Sequence, residues 1–218
     1  MLELTLIQKI AIGLLPIMLA VTVHEAAHAY AANFFGDGTA KFLGRMTLNP
    51  IRHIDILGTI IIPLTMFILT SFVFGWAKPV PVNAQNFKNP RRDMALVALA
   101  GPLSNIVMAF AWAGMTAIGV AGLSSGAWYA EPLALMGQIG IFVNILLAVF
   151  NLLPLPPLDG GRVLVAILPP KAANTVSRLE PWGFPILLLL LFTGVLSFVL
   201  LPILYSALAW FNGLIHLL

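Results

Sequence analysis

The sequence predicts an all-α polytopic membrane protein with about four transmembrane helices, one re-entrant hairpin and a small membrane-associated β element. Three observations carry this expectation. Of 218 residues, 60% are apolar and 9% charged, far from the roughly 45–50% and 25% of soluble domains. The apolar residues fall in long runs, several of them reaching the about 20 residues that a helix needs to cross a bilayer. The basic residues are gathered into a few short segments between those runs. A globule of this size leaves about a third of its unfolded surface wet, and 8 acidic plus 11 basic side chains cannot cover it. A water-soluble globule is therefore excluded, and residues 1–218 read as one membrane-embedded domain. The chain has no cysteine, which removes disulfide and thiolate chemistry, and its formal charge of +3 gives no reason to expect a nucleic-acid partner.

Taken in order, residues 4–32 form the first span, closed by Asn33 and the turn-forming Gly36-Asp37-Gly38. A signal peptide cleaved near Ala29-Tyr30-Ala31 is the alternative, but Glu3 offsets Lys9 and the usual positive leader is missing. Residues 42–48 read as a short extended run. So do residues 76–82, because Pro79 and Pro81 disfavour helix before them; the two runs together would make the β element. Between them lies the apolar run 54–76, interrupted by Gly58 and Pro63. Residues 94–120 are the second span and residues 132–153 the third, stopped by Pro154, Pro156 and Pro157. A short helix over 159–168 precedes Pro169-Pro170, and residues 184–217 read as one long final helix.

Charge sets the topology. Ten of the eleven Lys and Arg lie in residues 41–52, 78–92 and 162–178, and cytoplasmic loops collect such residues. All three segments share one side only if residues 54–76 dip into the membrane and return. Gly58 and Pro63 make that bend plausible, and irregular backbone is tolerated at membrane depth where protein buries it. Five spans, with 54–76 crossing, is the rival arrangement.

The chemistry is concentrated in His24-Glu25-Ala26-Ala27-His28. Helix positions i and i+4 share a face, so two imidazoles one turn apart can bind one metal ion, and the glutamate between them can reach a water on that ion. Three ionisable groups in five residues of a membrane helix are costly and imply a polar cavity or a bound partner. A catalytic zinc takes three protein ligands and keeps one open position. Asp55, His53 and Asp159 are the candidates for the third, and Asp159 is the best placed. It ends Asn151-Leu-Leu-Pro-Leu-Pro-Pro-Leu-Asp159-Gly160-Gly161, where prolines break the helix and glycines permit close backbone approach. Its plainer reading is as the N-cap of the short helix that follows. His53 and Asp55 read as a cap of the hairpin or as support for a ligand. Asn105, Asn144 and Asn151 are amides at membrane depth, suited either to stabilising an oxyanion or to bonding helices together.

Three motifs now stand in order: HEAAH in one span, Ala100-Gly101-Pro102-Leu103-Ser104-Asn105 early in a second, and NLLPLPPLDGG at the end of a third. Over about residues 10–168 the chain resembles the site-2 protease family of intramembrane zinc metalloproteases. The resemblance implies one zinc ion held by His24, His28 and Asp159, with Glu25 as catalytic acid/base. It implies a site opening toward the cytoplasm within a prokaryotic cell membrane. It also implies a partner, the transmembrane helix of a protein substrate, unwound and cut as in regulated intramembrane proteolysis. Asn151, at the head of the LDGG motif, is favoured as the substrate or oxyanion amide, with Asn105 as the other candidate. Larger members carry PDZ or CBS domains; this chain resembles a minimal member. Two other classes remain open: a metal-ion or proton transporter, with ionisable groups strung through the membrane depth, and a silent scaffold, which would have no need of Glu25.

Overall fold

The helices assemble around one polar site in a computed structural model that describes residues 5–62, 64, 65, 68 and 75–217. Helix α1, Leu6–Phe34, opens on a capping box in which Thr5 and Gln8 satisfy each other's backbone N–H groups. Its 29 residues rise about 44 Å at ~1.5 Å each, more than a bilayer's apolar core. A single helical turn, α2 (Thr39–Phe42), follows. The long α3, Pro90–Leu123, starts with proline in the first turn, where the missing N–H costs nothing. Helix α4 is Ala130–Asn151, α5 is Asp159–Ile167, α6 is Pro170–Ser177, α7 is Gly183–Phe192 and α8 is Val195–Ile215.

Helices α3 and α4 form the tightest pair, α1 lies against both, α5 docks on α3, and α8 covers α4 and α3. Water does not drive such packing inside a bilayer, so close approach by small residues matters more. A Cβ at Gly119 would come within 2.8 Å of Ala134 Cα, and one at Gly137 within 2.9 Å of Thr116 N. Ala109, Trp112, Ala113, Ile141, Ile145, Leu204 and Phe211 fill the core between α3, α4 and α8. Ile10, Leu14, Ile17, Val107, Phe110 and Phe198 are exposed on the outer faces, as expected of a surface meant for lipid.

Among the described residues five helical stretches, rather than the four expected, are long and apolar enough to cross a membrane: Ile7–Phe34, Pro90–Leu123, Ala130–Asn151, Pro170–Phe192 and Val195–Ile215. The difference lies at the C-terminal end. The expected continuous helix over 184–217 is divided at Thr193-Gly194, where Gly194 has φ 77°, a left-handed conformation that glycine adopts without penalty.

The apex of the expected hairpin, 54–76, lies outside the described residues, but its two ends meet. Asp55 Oδ1 accepts from Gly58 N–H at 2.7 Å, capping a π-helical turn over Ile56–Ile61. Trp76 N–H donates to Gly58 O at 3.0 Å, and Thr59 Oγ1 donates to Trp76 O at 2.9 Å. Residues 58–59 and Trp76 thus lie side by side, and Asp55 serves as a cap.

The expected β element is not formed: among the described residues there is no strand. Asp37 accepts from both the N–H and the hydroxyl of Thr39, which starts the α2 turn just before the expected run 42–48; that run opens with the end of α2, turns at Gly44 with φ 64° and bends over residues 46–48. Residues 75–83 form no regular element, and Pro79 and Pro81 have no N–H to give a partner strand.

Candidate metal centre

His24 and His28 project from one face of α1 with ring centroids 4.7 Å apart. The helix delivers them by spacing alone, but α3 must leave room. A Cβ at Gly101 would lie 2.7 Å from His24 Cε1 and closer still to His28 Nε2. The hydrogen of Gly101 is therefore part of the site.

Asp159 comes from the opposite side. It is the first residue of α5, with Leu158 at the capping position, so its side chain does not act as an N-cap. The turns of residues 152–158 fold α5 back upon them, and Gly160 and Gly161 touch the backbone of Leu152, Leu153 and Pro156 too closely for any Cβ. The carboxylate reaches His24 Nε2 at 3.2 Å and His28 Nε2 at 3.3 Å through Oδ2, while the two Nε2 atoms are 3.1 Å apart. All three residues are buried, and one ligand atom from each lies within 4.8 Å of the others. No other such group of His and carboxylates occurs among the described residues.

Hydrogen bonds on the far sides of the rings decide what these atoms can be. His24 Nδ1 lies 2.6 Å from Asn105 Oδ1, and His28 Nδ1 lies 2.8 Å from Val97 O. A carbonyl oxygen accepts only, so each Nδ1 carries a proton, and in the neutral form of each ring Nε2 keeps a lone pair on the side of Asp159. With both rings neutral, two lone pairs and a carboxylate oxygen face one another within 3.3 Å. Asp159 Oδ2 is buried without a hydrogen-bond partner. That arrangement is repulsive by itself and suits a divalent cation; the donors, two nitrogens and one oxygen, are a set that zinc accepts.

Asn105 is fully buried and does more than face His24. Its Nδ2 donates to Ala20 O at 3.1 Å and to Asn144 Oδ1 at 2.8 Å, and Asn144 in turn donates to Gly140 O. Carboxamides thus link α1, α3 and α4 directly behind a ligand. Asn151 is not brought to the cluster by any hydrogen bond; its Nδ2 donates to Leu147 O at 3.0 Å on its own helix.

Glu25 is half-buried beside the pair, and its Oε2 accepts from Val80 N–H at 2.9 Å. Two residues that the sequence did not single out hold the segment carrying that N–H. Arg45, buried, donates from Nη2 to Lys78 O at 2.7 Å. Asp37, wholly buried, accepts from Asn83 N–H at 2.7 Å and Asn86 Nδ2 at 2.7 Å as well as from Thr39. Burial alone would raise the Asp37 pKa, but the bonds from Thr39, Asn83 and Asn86 outweigh it and hold the carboxyl below its ordinary value. His53, the last residue of a 3₁₀ turn over Pro50–His53, is buried with Nε2 2.9 Å from Thr47 O and is not part of the His24, His28 and Asp159 group.

The model for peptidase family M50 matches residues 115–193, which include Asp159 and its glycines. A candidate zinc metalloprotease of Bacillus subtilis, YwhC, is 43% identical over 189 residues, 86% of this chain and 83% of its own. The similarly named Rip2 of Mycolicibacterium smegmatis is 29% identical over 180 residues, 83% of this chain and 66% of its own. A candidate zinc metalloprotease of Methanocaldococcus jannaschii, MJ0611, is 41% identical over 71 residues, 31% of each chain. No solved structure matches.

Proposed function

We propose, from the premise that the chain belongs to peptidase family M50, the site-2 protease family, and is a zinc metalloendopeptidase of the membrane, that it cuts a peptide bond within a transmembrane segment near the cytoplasmic side. The observation that carries this reading is the convergence of the buried His24, His28 and Asp159 from two helices, with one ligand atom of each within 4.8 Å of the others. Those three residues hold the ion. When bound, zinc supplies a Lewis acid and brings the pKa of a coordinated water toward about 7.

The chain's own residues do the rest. Asn105 and Val97 fix the imidazole tautomers, so that neither ring can turn its N–H toward the ion. Glu25 takes a proton from the attacking water and returns it to the leaving amine. Oε2 is engaged by Val80, and among the described residues Oε1 has no hydrogen-bond partner, which leaves it to carry the proton. The depth of the site follows from α1. His24 stands ten residues before Phe34, the end of the helix, and hence about 15 Å along its axis from the loops rich in Lys and Arg. Those loops favour the cytoplasmic face. The joined ends of residues 54–76 agree with an excursion that returns to the same face.

The test uses purified protein in micelles with a reporter containing a transmembrane helix. Glu25→Gln is expected to keep about one zinc per chain and to lose cleavage, whereas Asp159→Ala is expected to lose zinc. Cleavage that survives in Glu25→Gln removes that residue from the chemistry. Zinc retained undiminished in Asp159→Ala means that the third ligand lies elsewhere.

A further inference from the structure

The only hydrogen bond to the Glu25 carboxylate among the described residues comes from outside its helix, and the segment that supplies it is fastened along one edge. Alternate residues of an extended chain turn their backbone polar groups to the same side. Trp76, Lys78 and Val80 all face inward in this way. Trp76 N–H donates to Gly58 O at 3.0 Å, and Lys78 N–H donates to His53 O at 2.9 Å. Lys78 O accepts from Arg45 Nη2 at 2.7 Å, and Val80 N–H donates to Glu25 Oε2 at 2.9 Å. Beyond Val80, Asn83 N–H donates to Asp37 Oδ2 at 2.7 Å. Pro79 and Pro81 flank the critical residue and fix their own φ angles. The Val80 side chain is itself buried, against Ala29 and Ala40. The result is a stiff strap, anchored on both sides of the one N–H that reaches Glu25.

Arg45 is the unusual anchor. It is 7% exposed and makes no ion pair among the described residues; its Nε has no partner. A buried guanidinium without a counter-charge is costly, and an arginine present only to stiffen a loop would gain more from a carboxylate. Its spatial role is specific instead: Nη2 grips the carbonyl of Lys78, and Pro79 O at 3.5 Å is the next acceptor. These are the two residues that precede the Val80 N–H.

We propose that Arg45 is a positioning residue for the peptidase reaction, acting through the strap: it fixes Lys78 and Pro79 so that the Val80 N–H holds Oε2 of Glu25 and leaves Oε1 to exchange the proton. The inference rests on Glu25 being the acid/base.

The decisive variant is Val80→Pro, which deletes the N–H but suits an extended backbone. It is paired with Arg45→Met and Arg45→Lys in the full chain. Steady-state cleavage of the helical reporter is measured beside zinc content. Losing a hydrogen bond to a charged group is expected to lower kcat of Val80→Pro about ten- to a hundredfold, with KM within about twofold and zinc retained. Arg45→Met should follow in the same direction, and Arg45→Lys, which keeps one donor, should recover part of the loss. Should Val80→Pro fail to fold, the two Arg45 variants decide alone. A kcat equal to wild type in Val80→Pro or in Arg45→Met, with zinc bound, overturns the proposal, as does loss of zinc in both, since the strap would then serve the fold alone. These failures leave the assignment of Glu25 intact if Glu25→Gln remains inactive; an active Glu25→Gln would instead defeat the premise.

Discussion

Replacing Asn105 separates two things that one carboxamide does. Its Oδ1 accepts from His24 Nδ1 at 2.6 Å and so fixes the tautomer that offers Nε2 to the ion. Its Nδ2 donates to Asn144 Oδ1 at 2.8 Å. Asn105→Leu keeps the volume and removes both, leaving the His24 N–H and Asn144 Oδ1 buried without those partners. Each such orphan costs about 1–3 kcal/mol, so the apo protein should lose roughly 2–6 kcal/mol of stability. Losing an outer-shell partner of a ligating histidine weakens metal binding about 10–100-fold, or ~1.4–2.8 kcal/mol. Asn105→Asp divides the effect, because it keeps an acceptor for His24 but loses the donor to Asn144. Zinc affinity is measured by competition with a chromogenic chelator in micelles, and stability by thermal unfolding of the zinc-free protein. The expected outcome is weak zinc binding in the Leu variant, near-native binding in the Asp variant, and lowered stability in both. Equal zinc affinity in wild type and Asn105→Leu would refute the argument that Asn105 prepares His24 as a ligand.

Gly101→Ala should lose zinc binding, since the new methyl would occupy space held by both imidazoles; normal zinc content would mean that α3 can move aside. The pH dependence of stability should carry the signature of Asp37. Its carboxyl lies below the ordinary value in the folded state, so its contribution is present above the ordinary carboxylate pKa of about 3.9. It is lost as pH falls through the lower folded value. Melting temperatures of wild type and Asp37→Asn should therefore differ at pH near 7 and converge in acid; a constant difference would refute the linkage.

What could be read from the sequence was chemistry with a local spacing. Two imidazoles at i and i+4 share a face in any helix, so the pairing of His24 and His28 was legible before any fold was known. Asp159 was legible because the prolines before it and the glycines after it mark a broken helix, and the glycines do lie against the backbone of residues 152–156. The division of the last helix was harder to read. Gly194 sits in a leucine-rich run in which hydropathy hardly changes, and only the left-handed φ at that one residue marks the break. The β element failed for a related reason. The pattern of residues 42–48 suits a strand, but two bonds from Thr39 to Asp37 set the preceding turn, and alternation of side chains carries no information about such bonds.

The residues that escaped notice share one property: they act on backbone groups far along the chain. Arg45 serves a carbonyl 33 residues away, and Asp37 an N–H 46 residues away. Neither partner is marked by its own side chain, since any residue at 78 or 83 would present the same peptide. A basic residue in a segment of basic residues reads as an interfacial anchor, and an aspartate between two glycines reads as a turn. Only burial distinguishes them, and their distant partners lie in residues 78–86, the segment that also reaches Glu25. The candidate ligands could thus be picked out from their own chemistry, while the segment that bonds Glu25 beside them required the path of the backbone.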